Sequence, residues 1–235
     1  MSEHISTKFD AELEAVRSRV SQMGGLVENQ LARLGAAMFS GDTRELETVM
    51  RSDYKINALE VEIDELCTHI IAVRQPVASD LRMIMTVIKT ITDLERIGDK
   101  AEKIARMTLD IGRQDGLQVS RFNELRAMMD KVLDMVRQAL DAFARLDTTV
   151  APVVAERDKE IDRDFDGITR LLITHMMENP RNISTALDIL FVAKAIERIG
   201  DHATNITEYI VYMVRGKDVR HVTPEELNQV AGGAR

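Results

Sequence analysis

Leu94-Glu95-Arg96-Ile97-Gly98-Asp99 returns 102 residues later as Ile196-Glu197-Arg198-Ile199-Gly200-Asp201. Each copy follows a Pro-marked turn, at Pro76 and at Pro180. A motif repeated at that spacing in a chain of 235 residues predicts two homologous halves, each large enough for its own core. Outward from the first copy, apolar residues recur in alternating steps of three and four. Ile84, Ile88, Ile91, Ala105 and Leu109 mark one helix face, interrupted by Glu95, Gly98 and Glu102. The helix before it carries Leu46, Val49, Asp53, Ile56, Glu60, Ile63, Cys67 and Ile70. The first helix carries Phe9, Leu13, Val16, Val20, Met23, Val27, Leu31, Leu34 and Met38. This is the period of long helices packed nearly parallel.

Punctuation between stripes sets the boundaries. Ser40-Gly41-Asp42 ends the first helix, and Asp42 can cap the second. The second ends near Arg74-Gln75-Pro76, because the residue before a proline leaves the α region. Ser79 or Asp80 is expected to cap the third. Gly112 to Gly116 is the best boundary in the chain. Beyond it, helices are expected over about Ser120–Leu146, Val150–Met177 and Asn182 or Ser184 to Arg215. Thr223-Pro224-Glu225-Glu226 follows as a capped turn. The expected fold is all-α: two antiparallel three-helix bundles, residues 1–112 and 117–216, with a C-terminal tail 217–235. Gly24-Gly25 inside the first helix predicts a kink or a close helix contact.

Composition agrees. Aromatics are 4%, Trp is absent and Met numbers 13, which disfavours a β-sandwich or barrel. Lys+Arg is 31 against Asp+Glu 39, a net charge of −8, which argues against a general nucleic-acid binder. The best apolar run, Ile189 to Ala193, falls far short of the ~18 residues a membrane span needs. No signal peptide is read at the N-terminus, and one cysteine cannot form an internal disulfide, so a cytoplasmic location is expected.

Function is sought where the pattern breaks. Asp53, Glu60, Glu95, Glu102, Asp158, Glu197 and Asp201 fall on faces that should be apolar. A buried carboxylate must be paired, protonated or bound to a cation. Glu95/Asp99 and Glu197/Asp201 stack at four-residue spacing and repel unless something positive lies between them. Reflection about the helix turns brings Asp53, Asn57 and Glu60 level with the first pair. It brings Asp158, Asp162 and Asp166 level with the second. Oxygen-only clusters suit hard cations. The competing reading pairs these acids with Arg96, Arg198, Lys194 or Lys55. No Glu is followed by His three residues on, against a ferritin-like di-iron centre. Cys67 reads as a small buried group. Asp80, about 22 Å along its helix from Glu95, reads as a cap or partner contact. With Arg74 and Arg82 it forms the most functional-looking loop.

These residues resemble the PhoU family end to end. The resemblance rests on Arg74-Gln75-Pro76-Val77-Ala78-Ser79-Asp80-Leu81-Arg82, on both Glu-Arg-Ile-Gly-Asp copies, and on Leu140–Arg145 and Val211–Gly216. It implies metal binding, by iron, zinc, manganese or magnesium, at Glu95/Asp99 and Glu197/Asp201. Asp158/Asp162 would stand opposite the second pair and Asp53/Asn57 opposite the first, where the Asn57 amide makes a weaker site. It also implies a non-enzymatic negative regulator of phosphate-starvation signalling. Such a protein links the ATPase subunit of an ABC-type phosphate importer to a sensor histidine kinase, acts as a homodimer, and is peripheral to the inner membrane at most. A metal-dependent phosphate-binding or phosphate-handling protein is the alternative.

Overall fold

The computed structural model describes residues 2–114 and 116–232, with side chains from residue 8. Every long element is a helix. α1 (Ser2–Ser40) buries Val16, Val20, Met23, Val27, Leu31, Leu34 and Met38, the predicted stripe. Asp42 caps α2 (Thr43–Ser52), its carboxylate accepting from the Arg44 and Glu45 amides at 3.1 Å. The expected second helix is in two parts, α2 and α3 (Tyr54–Arg74), which meet at Asp53, itself in helical conformation. α4 (Ala78–Gly112) completes the first bundle.

A short 3-10 turn over Val119–Arg121 leads into α5 (Asn123–Arg145), followed by α6 (Ala151–Glu178) and α7 (Ile183–Arg215). α8 (Pro224–Gly232) extends the tail beyond the expected turn. Its start is a reciprocal capping box: the Glu226 amide donates to Thr223 Oγ1, and the Thr223 amide to Glu226 Oε2. α8 and Val219 cover Ala151 and Val211 in a small satellite core.

One local expectation is corrected, and the Gly24-Gly25 expectation is met as a close helix contact rather than a kink. Neither Ser79 nor Asp80 caps α4; Val77 holds the cap position without a side-chain bond, and Asp80 sits inside the first turn. There its charge still complements the positive helix end. Gly24-Gly25 produces no break in α1. Gly24 instead admits Leu140 of α5, whose Cδ2 would lie 2.5 Å from an added Cβ, and Gly25 faces open space.

The two bundles share one continuous hydrophobic core. They join mainly along α4 and α7, and α1 also packs on α5. α4 and α7 therefore carry two buried faces each, one toward their own bundle and one toward the other.

Candidate functional site

Asp53 stands where α2 yields to α3, 8% exposed. Its Oδ1 accepts from Gln30 Nε2 and its Oδ2 from Asn57 Nδ2, both at 3.2 Å. Gly98 of the motif makes room for it: a Cβ there would lie 2.8 Å from Asp53 Oδ1. The second half repeats the arrangement, with Asp158 Oδ1 3.2 Å from the Cβ position of Gly200. The glycine of Glu-Arg-Ile-Gly-Asp thus lets a carboxylate from the preceding helix press against the motif helix.

The other acids gather on either side. Glu60, Glu95 and Glu102 are half-buried, whereas Asp99, Asp162 and Asp201 lie exposed at the cluster edge. Burial raises the Asp53 carboxyl; the Gln30 and Asn57 donors oppose this, while Asp99 and Glu102 add to it. Glu95 is raised by burial, then by Asp99, Glu60 and Asp53, and Glu60 by burial, Asp64 and Asp99. In the second cluster, burial followed by Asp201, Asp162 and Glu197 pushes Asp158 up to about 7. Asp201 is raised by its buried inner side and by Glu197. Acids that raise one another share a site with too little positive charge.

The reading that basic neighbours balance these acids holds in part. Lys194 donates to Glu197 Oε1 at 2.5 Å, and Arg106 pairs with Glu102. Among the described residues, Arg96, Arg198 and Lys55 form no ion pair with the clusters, and no three Asp, Glu, His or Cys side chains already converge at metal-binding distance. Metal loading would require half-buried side chains to swing together. The donor chemistry fits a hard cation nonetheless. Three acceptor oxygens beside the clusters are buried with no donor: Gln30 Oε1, Asn57 Oδ1 and Glu197 Oε2. Glu197 itself is only 7% exposed. Such orphaned acceptors call for a cation or a donor.

The loop residues have structural partners. Arg74 of α3 forms a two-pronged pair with Glu12 of α1, at 2.9 and 2.7 Å. The Arg82 guanidinium lies against Gly216 at the C-terminal end of α7, with its Nε buried and unpartnered. Cys67 is fully buried, and burial pushes its thiol up to about 12.

Sequence reasoning missed two groups. Gln30, a polar side chain between buried Val27 and Leu31, was signalled by that position. Asp93, 3% exposed, joins the bundles: His202 Nδ1 lies 2.7 Å from its Oδ1. Burial, then the Asp93 charge, raises the nearby Tyr209 phenol. The signal was a second buried row on α4, Thr86, Thr90, Asp93 and Ile97.

Paired helical bundles, each with a carboxylate seated on a motif glycine, define a duplicated all-helical protein with acidic clusters. The PhoU domain pattern matches residues 20–108 and again 125–210. The chain is 48% identical over 222 residues to the phosphate-specific transport system accessory protein PhoU homolog of Pseudomonas putida, covering 94% of this chain and 86% of that one. It is 45% identical to the Escherichia coli K12 protein of that name, over 99% and 96% of the two chains. The crystal structure of PhoU from Pseudomonas aeruginosa superposes with a TM-score of 0.84 at 45% identity, over 89% of this chain and 100% of that one. The Streptococcus pneumoniae phosphate transport system regulatory protein PhoU superposes at 0.82 with 27% identity, over 90% and 99%. The chain belongs to the PhoU family.

Proposed function

We propose that this chain is a cytoplasmic negative regulator of phosphate uptake and of the phosphate-starvation response. In this reading it works without catalysis, as a homodimeric adaptor between the ATPase subunit of an ABC-type phosphate importer and a sensor histidine kinase. The observation that carries the reading is the end-to-end similarity to phosphate-specific transport accessory proteins at 45–48% identity. Two further features support it. No helix among the described residues is long and apolar enough to cross a membrane, so contact with an importer would run through a surface. The α3–α4 corner offers one: Val73 near the end of α3, Val77 in the turn, and Leu81 and Met85 on α4 are exposed there, beside Asp80. Exposed apolar patches of this kind mark docking sites.

In the same reading the carboxylate clusters are metal sites. Glu95, Asp99, Asp53 and the Asn57 amide would hold one; Glu197, Asp201, Asp158 and Asp162 would hold the other. A bound cation supplies the positive charge that the raised carboxyls lack, and ties the motif helix to the helix before it. Co-purification with the importer's ATPase subunit tests the adaptor role. Leu81→Asp should abolish capture while leaving helicity and melting unchanged; undiminished capture would remove the α3–α4 corner from the account. Elemental analysis of untagged protein tests the metal sites, since Glu95→Ala and Glu197→Ala should each lower the metal content.

A further inference from the structure

The α4–α7 seam is antiparallel. Asp93 faces His202, Thr86 donates to the Tyr209 carbonyl, and Gln114 reaches Thr185 and Asp188. Combined with the 102-residue repeat, this makes the seam two-fold symmetric about the middle of the motif, beside Ile97 and Ile199. Each contact therefore has a mate in which the helices exchange roles. Position 93 maps onto 195, position 202 onto 100, and position 205 onto 103.

The two ends are chemically opposite. At one, buried Asp93 faces His202 and Asn205. At the other, Ala195 stands in the place of the acid, 6% exposed, and Lys100 and Lys103 replace the histidine and asparagine. Lys100, Lys103, Lys194 and Arg198 line a groove there of about 320 Å³, with Ala195 and Phe191 completing its wall. None of the six is acidic. Among the described residues Lys100, Lys103 and Arg198 form no ion pair, and Lys194 pairs with Glu197 alone. Phe191 at the rim is 56% exposed, in a chain with only six phenylalanines. Lys100, Lys103 and Arg198, gathered without a partner acid in a groove of a protein with net charge −8, repel one another until an anion enters.

We propose that this groove is a binding site for a compact polyphosphate chain. Lys100, Lys103, Lys194 and Arg198 hold the phosphate oxygens, and Phe191 offers a face on which a nucleoside base can stack. The missing seam acid is what leaves these charges for a ligand. The groove adjoins the second carboxylate cluster through the Lys194–Glu197 pair, and needs no metal.

Calorimetric titration of the full chain in excess EDTA, with inorganic tripolyphosphate and with ATP, tests this. Both are expected to bind, with affinity falling steeply between 50 and 300 mM salt. Lys100→Ala/Lys103→Ala, changed on the groove wall, should weaken both at least about tenfold. Ala195→Asp, which restores the acid of the mate site, should abolish both while keeping every cation. Phe191→Ala distinguishes the sources. A several-fold loss for ATP alone identifies a nucleotide, and equal retention of both ligands identifies a free phosphate chain. Absence of binding in EDTA, affinities unchanged in the double lysine variant, or binding only to vesicles of anionic lipid would overturn the proposal.

Discussion

Replacing Asp158 by Asn in metal-free protein should stabilise the fold at pH 8. In the folded state this carboxyl titrates near 7 rather than at 3.8, held up by burial and by Asp201, Asp162 and Glu197. Fully expressed, a displacement of that size corresponds to about 4 kcal/mol. The side chain is partly open to water, and screening removes about half, leaving about 2 kcal/mol. Because the folded pKa lies above the unfolded one, the folded state retains its proton through this window. The group's contribution is complete below about pH 4 and is lost as pH rises through 7. Asn carries no charge at any pH, so the difference between variant and wild type should track this curve. With EDTA present, thermal unfolding should show Asp158→Asn melting about 4–8 °C higher at pH 8 for a chain of this size. The gap should shrink to about a third at pH 5. A gap of the same size at both pH values, or a variant that melts lower at pH 8, would refute the claim that the Asp158 charge, buried and crowded by acids, strains the fold.

Other perturbations have definite expected outcomes. Gly98→Ala forces a Cβ against Asp53 Oδ1 and Ile56, so urea midpoints should report a loss of about 1–2 kcal/mol. Gly25→Ala, with nothing within 4 Å, should gain up to about 1 kcal/mol by the same measurement. Gln30→Met installs the residue type found at the equivalent place beside Gly200, where Met135 lies; removing the amide donor should raise the Asp53 carboxyl further, visible by NMR titration. Asp93→Leu leaves His202 facing an apolar side chain and should cost about 1–3 kcal/mol by denaturant unfolding.

Helix periods made the architecture legible, because Val16 through Met38 and Ile56 through Ile70 each form one continuous buried stripe. The junction at Asp53 was not visible, since the residue keeps helical backbone angles. There the side chain turns toward Gln30 and Gly98. The reflected register brings Asp53 within reach of the first motif and Asp158 within reach of the second; they lie against Gly98 and Gly200, because antiparallel helices of fixed rise leave little freedom. Asp93 escaped because α4 was read with one buried face, although a helix between two bundles has two. Asp201 falls on the apolar face by spacing yet is exposed at the cluster edge with Asp99 and Asp162, where a drift of one residue, about 100°, moves a side chain from core to solvent.

Deletion and complementation test the central claim most directly. A strain lacking this gene, grown in abundant phosphate, should express a phosphate-starvation reporter that is silent in its parent. The wild-type gene should silence it again, and Glu95→Ala/Glu197→Ala should not. A reporter that stays silent in the deletion strain would contradict the account.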